Sequence, residues 1–364
     1  MYKRTRARFI TITCTNRISP VSVIQHSPIL KGKIHTILMI TTKDLANICH
    51  VSRGTVDRAL NDKPGISDKT AQMIREKAAE LGYIPHLVGS SLARGKTDSI
   101  GIIVFDLRNE HFVELVHNIE SVFSKQNIVA YVCLSEKDPE KEKKLLMAMA
   151  SRRVDGILVT SINQGHEFTE FLKKLSVPVV CISNKVEGIP YVGGRNSQAV
   201  HNAMENVRSR GIRRVYYVCP PMRLEHEQNI GAQKERAEAY LSFMADHPEL
   251  TGELIIDHDY WEQVKKRISK DEPHAAFLCS SDHYAVKIYH NARLEGYHLP
   301  DDFSLMGFDG TKILDYLPQR IDTIKYPADL IGLKASEMLM HIINGEDVND
   351  CLIDCPVLPG STIT

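Results

Sequence analysis

The 364-residue sequence contains no apolar run approaching the ~18–20 residues that a membrane-spanning helix requires, which excludes such a helix and gives no reason to expect a membrane partner. Net formal charge is also missing. The 45 Lys and Arg balance 45 Asp and Glu, so any nucleic-acid binding must come from a local patch. Eight cysteines are present without a CxxC pair. Cys133, Cys181, Cys219 and Cys279 lie in apolar, strand-like runs, which fits free thiols buried in a reducing cytoplasm rather than a disulfide or metal set. There is no Gly-rich phosphate loop, no HExxH and no GxSxG, and the sixteen histidines are scattered. No catalytic set emerges from spacing, and neither a cofactor nor a metal is expected. What is present, 43% apolar and 25% charged residues, suits a globular chain of two or three domains.

Residues 1–38 differ from the rest. They hold seven basic residues (Lys3, Arg4, Arg6, Arg8, Arg17, Lys31 and Lys33), no acid, and no sustained apolar core of a secretory signal. The expectation is a disordered extension or a stretch upstream of a true start at Met39; a basic nucleic-acid arm or a targeting segment is the alternative.

After Met39 the punctuation sharpens. Thr41-x-x-Asp44 starts a first helix as a capping box, with Leu45, Ile48 and Cys49 on one face. Ser52 caps a second helix whose Val56, Ala59 and Leu60 face inward. Ser67 caps a third, in which Ala71, Ile74, Ala78 and Leu81 face inward and Gly82 ends the helix. Two short helices joined by a tight turn form a helix-turn-helix, whose second helix enters the major groove. Its outward residues are then Arg53, Gly54, Asp57, Arg58 and Asn61. Arginine forks onto guanine O6 and N7, glycine permits close backbone approach, and Thr55 and Asn61 suit phosphate or base-edge contacts.

The stretch TTKDLANICHVSRGTVDRALNDKPGISDKTAQMIREKAAELGYIP closely resembles the DNA-binding headpiece of the lactose-repressor (LacI/GalR) family of bacterial transcription regulators. The pattern runs through Asp44, Ala46, Val51-Ser52, Thr55-Val56, Arg58, Leu60-Asn61, Ser67, Thr70, Leu81-Gly82-Tyr83 and Pro85. The resemblance implies double-stranded operator DNA as a partner, contacted by Thr42, Ser52, Arg53, Gly54, Thr55, Asp57, Arg58, Asn61, Ser67 and Thr70. It also implies a hinge helix whose Leu92 wedges into the minor groove and kinks the duplex. It implies a homodimer whose two recognition helices, ~34 Å apart, read a pseudo-palindrome. Three residues depart from the family pattern. His50 stands at the turn glycine, and His tolerates positive φ better than most residues. Asp57 replaces a serine; a carboxylate there repels phosphate unless it accepts from cytosine N4 or pairs with Arg53 or Arg58. His86 replaces an asparagine where the hinge begins. Residues 41–98 hold nine basic and seven acidic residues, so the salt dependence of binding should be modest.

From Ser99, short β-branched runs (SIGIIVFD, IVAYVCLS, GILVTS, VPVVCIS, RRVYYVCP, GELIID, AAFLCSS, FSLMGFD) mostly alternate with amphipathic helical stretches. That alternation implies parallel sheets covered by helices, with ligands bound beyond the carboxyl ends of the strands. This region resembles the family's effector domain, which is similar to periplasmic sugar-binding proteins: two lobes around a cleft, crossed by the chain three times. The expected organisation is a headpiece at 39–84, a hinge at 85–98 and an effector-binding and dimerisation domain at 99–364. Lobe 1 covers about 99–195 plus 325–345, and lobe 2 about 196–322. The fold class is a small all-α headpiece followed by a two-lobed α/β domain.

The resemblance places Arg236, Asp309 and Ser281-Asp282 at an effector site, with Asp106, Asn109, His111 and Phe112 lining the opposite lobe. A bidentate arginine with carboxylate acceptors recognises vicinal hydroxyls, so a small sugar-like effector is expected. Plainer roles compete: Arg236 as a surface arginine, Asp309 bonding backbone amides, His111 in packing, Phe112 half core and half wall. Arg195 stands where many relatives have an aspartate, and with Arg236 it would favour an anionic effector; pointing to solvent is its plainer role. An effector-responsive repressor is the leading function. A solute-binding protein for transport needs export and no headpiece, and an enzyme on this fold lacks its motifs.

Overall fold

The computed structural model describes residues 40–83, 95–221, 228–256, 259–268 and 273–364. The chain divides into two units, Met1–His86 and Leu87–Thr364. Leu92, Pro85 and His86 lie outside the described residues, as do residues 1–38.

The first unit contains α1 (Thr42–Ile48), α2 (Arg53–Leu60) and α3 (Asp68–Glu80). Each begins on the hydroxyl that the sequence offers. Thr41 and Asp44 close a capping box, Ser52 Oγ accepts from Thr55 N, and Ser67 Oγ accepts from Thr70 N. Leu45, Ala46, Val56, Ala59, Ala71, Ile74 and Ala78 form the core. Ile48 differs from its expected place: it is 41% exposed, because the buried stripe of α1 centres on Leu45 and Ala46, with Cys49 half-buried. His50 adopts φ 53 and so makes the left-handed turn between α1 and α2 without glycine; Gly82, at φ 61, ends α3.

The second unit runs β1 (Ser99–Val104), α4 (Glu110–Ser124), β2 (Val129–Leu134), α5 (Pro139–Ser151), β3 (Gly156–Val159), α6 (His166–Lys173), β4 (Val179–Ile182) and β5 (Tyr191–Gly194). It continues through α7 (Asn196–Ser209), β6 (Arg214–Val218), α8 (Gly231–Asp246), β7 (Leu254–Ile255), α9 (Tyr260–Lys265), β8 (Ala275–Cys279), α10 (Asp282–Leu294), β9 (Ser304–Asp309) and a 3-10 turn, Lys312–Tyr316. It ends with β10 (Asp322–Lys325), α11 (Ala328–Ile343), β11 (Cys351–Ile353) and β12 (Val357–Leu358).

Two six-stranded sheets result. The first has the order β11-β5-β4-β3-β1-β2 and is parallel throughout. The second has the order β12-β10-β9-β8-β6-β7, with only β12 antiparallel. Period-2 alternation sorts each strand between two helical layers. Ile100, Ile102 and Val104 of β1 share a core with Leu115 of α4 and Leu339 of α11, whereas Ile103 packs with Leu146 of α5 and Phe168 of α6. In the second sheet, Phe277 of β8 packs with Ile288 of α10, and Leu278 faces the layer of α7 and α8. Cys181, Cys219 and Cys279 are buried free thiols and Cys133 is half-buried.

The chain crosses between the lobes three times, after β5, after β10 and between β11 and β12. Three crossings were expected, and the third lies beyond the expected lobe bounds: residues 351–358 add one edge strand to each sheet. The crossings touch. Tyr326 Oη donates to Ser183 Oγ at 3.1 Å and lies 3.1 Å from Gly194 N, whose hydrogen it accepts. Gly194 is required by this approach, because a Cβ there would lie 2.5 Å from the Tyr326 ring and 2.6 Å from Cys355 Sγ.

Candidate DNA interface and ligand cleft

On the outer face of α2, the side chains of Arg53 and Arg58 form no hydrogen bond or ion pair among the described residues. Arg58 lies along Gly54 and Gly65, whose built Cβ atoms would come within 3.8 Å of its guanidinium. Asp57 answers the objection to a carboxylate here in a way not foreseen. It pairs with neither arginine. Its Oδ2 takes Lys63 Nζ at 2.9 Å and its Oδ1 takes Asn61 Nδ2 at 2.8 Å. The Lys63 bond holds its carboxyl below the usual range, so it is ionised and locally compensated. The cap pairs Ser52 with Thr55 and Ser67 with Thr70 join hydroxyls at 2.9 and 2.8 Å on the exposed surface. Thr42 differs: its hydroxyl bonds Tyr83 Oη at 2.8 Å and ties the start of α1 to the end of α3.

In the second unit, the carboxyl ends of both sheets open onto one cavity of about 500 Å³. Asp106, Asn109, His111, Phe112, Arg236, Ser281 and Asp309 all line it. Arg236, on α8, is 4% exposed. Its Nε donates to Asn196 Oδ1 at 2.9 Å and its Nη1 to Ser280 O at 2.8 Å, while the guanidinium stacks 3.4 Å from the Phe308 ring centroid. This is no surface arginine: its plane is fixed by backbone, amide and ring together. Asp309 Oδ1 lies 3.8 Å from Arg236 Nη1, and the Asn109 side chain of the other lobe also favours the charged form of that carboxyl. Burial pushes Asp309 up to about 8, against the pull of Arg236 and with the help of the Asp282 carboxylate. Its backbone φ of 117, unusual outside glycine, is held by Gly310 and by Tyr326 N bonding Asp309 O at 3.0 Å.

His111 packs edge-on against Phe112 and Tyr326, with ring centroids 5.1 and 4.9 Å away. Burial, aided by Arg236, depresses it to about 3, so it is a neutral ring in the wall. Phe112 serves both the cavity wall and the core. Asp106 accepts from Arg108 N at 2.8 Å and shapes the loop after β1.

Two expected residues are corrected. Arg195 is not in the cavity wall: it begins α7 at a crossing, where its N bonds Ile353 O and its half-exposed side chain pairs with Asp354 at 3.1 Å. The argument for an anionic ligand from paired arginines falls with it. Asp282 also lies behind the wall. Its carboxylate accepts from Thr311 N, Thr311 Oγ1 and Thr323 Oγ1 at 2.7, 2.9 and 2.6 Å, holding the loop that follows Asp309.

Several wall residues escaped the sequence reading. Thr160 is 1% exposed and its Oγ1 has no partner among the described residues; Gln233 Oε1 is likewise buried and unpartnered among them. Asn184 and Asn229 bond across the rim. Asn184 Nδ2 donates to Asn229 O at 2.7 Å, and Asn229 N donates to Ile162 O at 2.7 Å. On the opposite rim, Lys312 Nζ meets Glu114 Oε1 at 2.8 Å and Ile313 N meets Glu110 Oε2 at 3.1 Å. A residue at the end of a parallel strand is the available signal for Thr160 and Asn184, and their bland residue types hid it.

Among the described residues no helix is long and apolar enough to cross a membrane, and no cluster of His, Cys, Asp or Glu could hold a metal. Residues 41–86 match the family described as bacterial regulatory proteins, lacI family, and residues 204–361 match the periplasmic binding protein-like domain. Catabolite control protein A of Priestia megaterium is 28% identical over 322 residues, covering 87% of this chain and 96% of the relative. The transcriptional repressor PurR of Aliivibrio fischeri (strain MJ11) is 27% identical over 327 residues, covering 85% and 93%. Among solved structures, the lac repressor dimer bound to operator and the anti-inducer ONPF is similar with a TM-score of 0.77 at 19% identity, covering 89% of this chain and 99% of that one. A periplasmic binding protein/LacI transcriptional regulator from Alkaliphilus metalliredigens QYMF, complexed with D-xylulofuranose, has a TM-score of 0.64 at 22% identity, covering 73% and 99%. At those identities the structural likeness speaks for the fold. The chain therefore carries a helix-turn-helix headpiece of the lacI family of bacterial regulatory proteins ahead of a periplasmic binding protein-like domain.

Proposed function

We propose that this protein is a transcriptional repressor whose operator affinity is set by a small sugar-like effector bound between the two lobes. The observation that carries the reading is the joint presence of two arginines on a helix-turn-helix, unpaired among the described residues, and a fixed Arg236–Asp309 pair in the wall of a cleft. We assign residues 39–84 to DNA reading, 85–98 to the hinge and 99–364 to effector binding and dimerisation. Such a regulator works in the cytoplasm, where bacterial DNA lies.

Arg53 and Arg58 present donors to base edges and phosphates, with Gly54 allowing close approach. Leu92 is the minor-groove wedge of the hinge. In the cleft, Arg236 donates to ligand oxygens, and Asp309, Asn109 and Thr160 Oγ1 complete a polar ring. Phe105, Phe112 and Tyr284 supply apolar walls. A cavity of about 500 Å³ suits a monosaccharide-sized polyol. The effector acts only through a difference in affinity between lobe arrangements, transmitted to the two hinge segments of the dimer.

The test is an anisotropy titration of the full chain against genomic fragments, with and without a panel of neutral sugars. A sequence-specific complex whose affinity changes with one sugar supports the reading. Absence of any specific DNA complex, with or without metabolites, overturns it.

A further inference from the structure

Glu142 lies on α5 within the stretch PEKEKKLL, whose other charged residues face solvent, yet it is fully buried. Its carboxylate collects four bonds from the loop after β3: Ser161 Oγ at 2.8 Å, Ile162 N at 2.8 Å, Asn163 N at 3.4 Å and Asn163 Nδ2 at 3.0 Å. A trans peptide is planar, so its N–H and C=O point in opposite directions. Holding Ile162 N toward Glu142 therefore turns Ser161 O away from it, and holding Asn163 N turns Ile162 O away. Those two carbonyls are the ones used at the rim. Ser161 O accepts from Asn184 Nδ2 at 3.1 Å, and Ile162 O accepts from Asn229 N of the other lobe at 2.7 Å. Asn163 O accepts from Asn229 Nδ2 at 3.3 Å, and Asn184 Oδ1 accepts from Ala232 N at 3.3 Å.

We infer that Glu142 is a positioning residue for lobe closure: its carboxylate orients two peptide planes of lobe 1 so that their carbonyls clasp Asn184 and the Asn229 loop of lobe 2. It touches neither the cleft nor the partner lobe. Burial raises the carboxyl above its usual value while the donors of the loop pull it down, which is the signature of a group kept for its bonds rather than its hydration. The inference builds on the cleft reading only for its regulatory consequence.

Hydrogen exchange on the ligand-free full chain tests it. Glu142→Gln keeps the volume but turns one acceptor end into a donor that faces an N–H. Protection of the segment 228–232 should then fall roughly tenfold, while β8 and α10 in the same lobe keep theirs. Asn184→Ala removes the side chain that joins Ser161 O to Asn229 O and should loosen the same segment, and the double variant should lose less protection than the two single effects combined, because both act through one clasp. Loss confined to 160–163, additive effects in the double variant, or uniform loss across lobe 1 would each overturn the inference. Since no effector is used, such a failure leaves the effector reading standing, and a failed DNA titration leaves the clasp standing.

Discussion

Replacing Thr160 by valine separates what the cleft needs for binding from what it needs for stability. The Thr160 hydroxyl is buried and has no partner among the described residues, so the ligand-free protein carries the desolvation cost of that group without a compensating bond. Such a group costs about 1–3 kcal/mol when unsatisfied, and valine fills nearly the same shape. Thr160→Val should therefore stabilise the ligand-free effector domain by about 1 kcal/mol. For a domain of this size that is a rise in Tm of roughly 2–4 °C. Calorimetry of the ligand-free chain reads the first effect. The second is its opposite: an effector that bonds the hydroxyl should raise the Tm of the variant by less than it raises that of the natural chain, since binding stabilises in proportion to affinity. A variant that is no more stable without ligand would mean that the hydroxyl is already satisfied. A variant with unchanged effector stabilisation would take Thr160 out of the binding ring. Either result refutes the reasoning.

Arg53→Ala should weaken operator binding by about 1–3 kcal/mol with most of the loss on the cognate half-site; equal loss on all fragments in a gel-shift series would make it a phosphate contact. Asp57→Asn releases Lys63 and removes a negative charge from the reading face, so non-specific DNA affinity should rise and its salt dependence steepen by roughly one phosphate contact. A loss restricted to the cognate site would instead show Asp57 reading cytosine. Asp309 is raised in the folded state to about 8 by burial, so the folded protein holds its proton more tightly than the unfolded chain does. Its contribution to stability is complete in acid and declines as pH rises toward that value, and Asp309→Asn should flatten the decline in denaturant midpoints measured from pH 5.5 to 8.5; parallel profiles would refute the assignment. Gly194→Ala places a methyl 2.5 Å from the Tyr326 ring and should destabilise the effector domain by about 2 kcal/mol or more in urea unfolding.

The headpiece was legible almost residue by residue, because each helix begins at a Ser or Thr whose cap bond is local in sequence. His50 was legible too: the histidine at a glycine position does take positive φ. The eight apolar runs emerged as strands, most of them buried on both faces as parallel strands are, whereas the edge strand β2 is largely exposed. Tyr191–Gly194, Asp322–Lys325, Cys351–Ile353 and Val357–Leu358 were missed, being two to four residues long, the first two carrying Gly, Asp or Lys. The floor of the cleft was recognised from Arg236 and Asp309. Its rim was not, since Asn184 and Asn229 acquire meaning only when two distant loops meet. Arg195 and Asp282 show the converse: a position in a motif fixes where the backbone goes, while the neighbours present decide where the side chain points. Glu142 was hidden inside a charged helix that reads as solvated.

The three crossings, locked together through Gly194, Tyr326 and Cys355, have a mechanical consequence. One connection would let the lobes swivel, slide and twist; three in contact act as pins along one axle and leave a single rotation. Whatever occupies the cleft, however it is shaped and wherever it touches the walls, must then act through one number, the degree of that rotation. Chemical variety at the cleft is compressed into a scalar before any DNA is involved. Substitutions that change which molecule is sensed therefore leave intact how the result is transmitted.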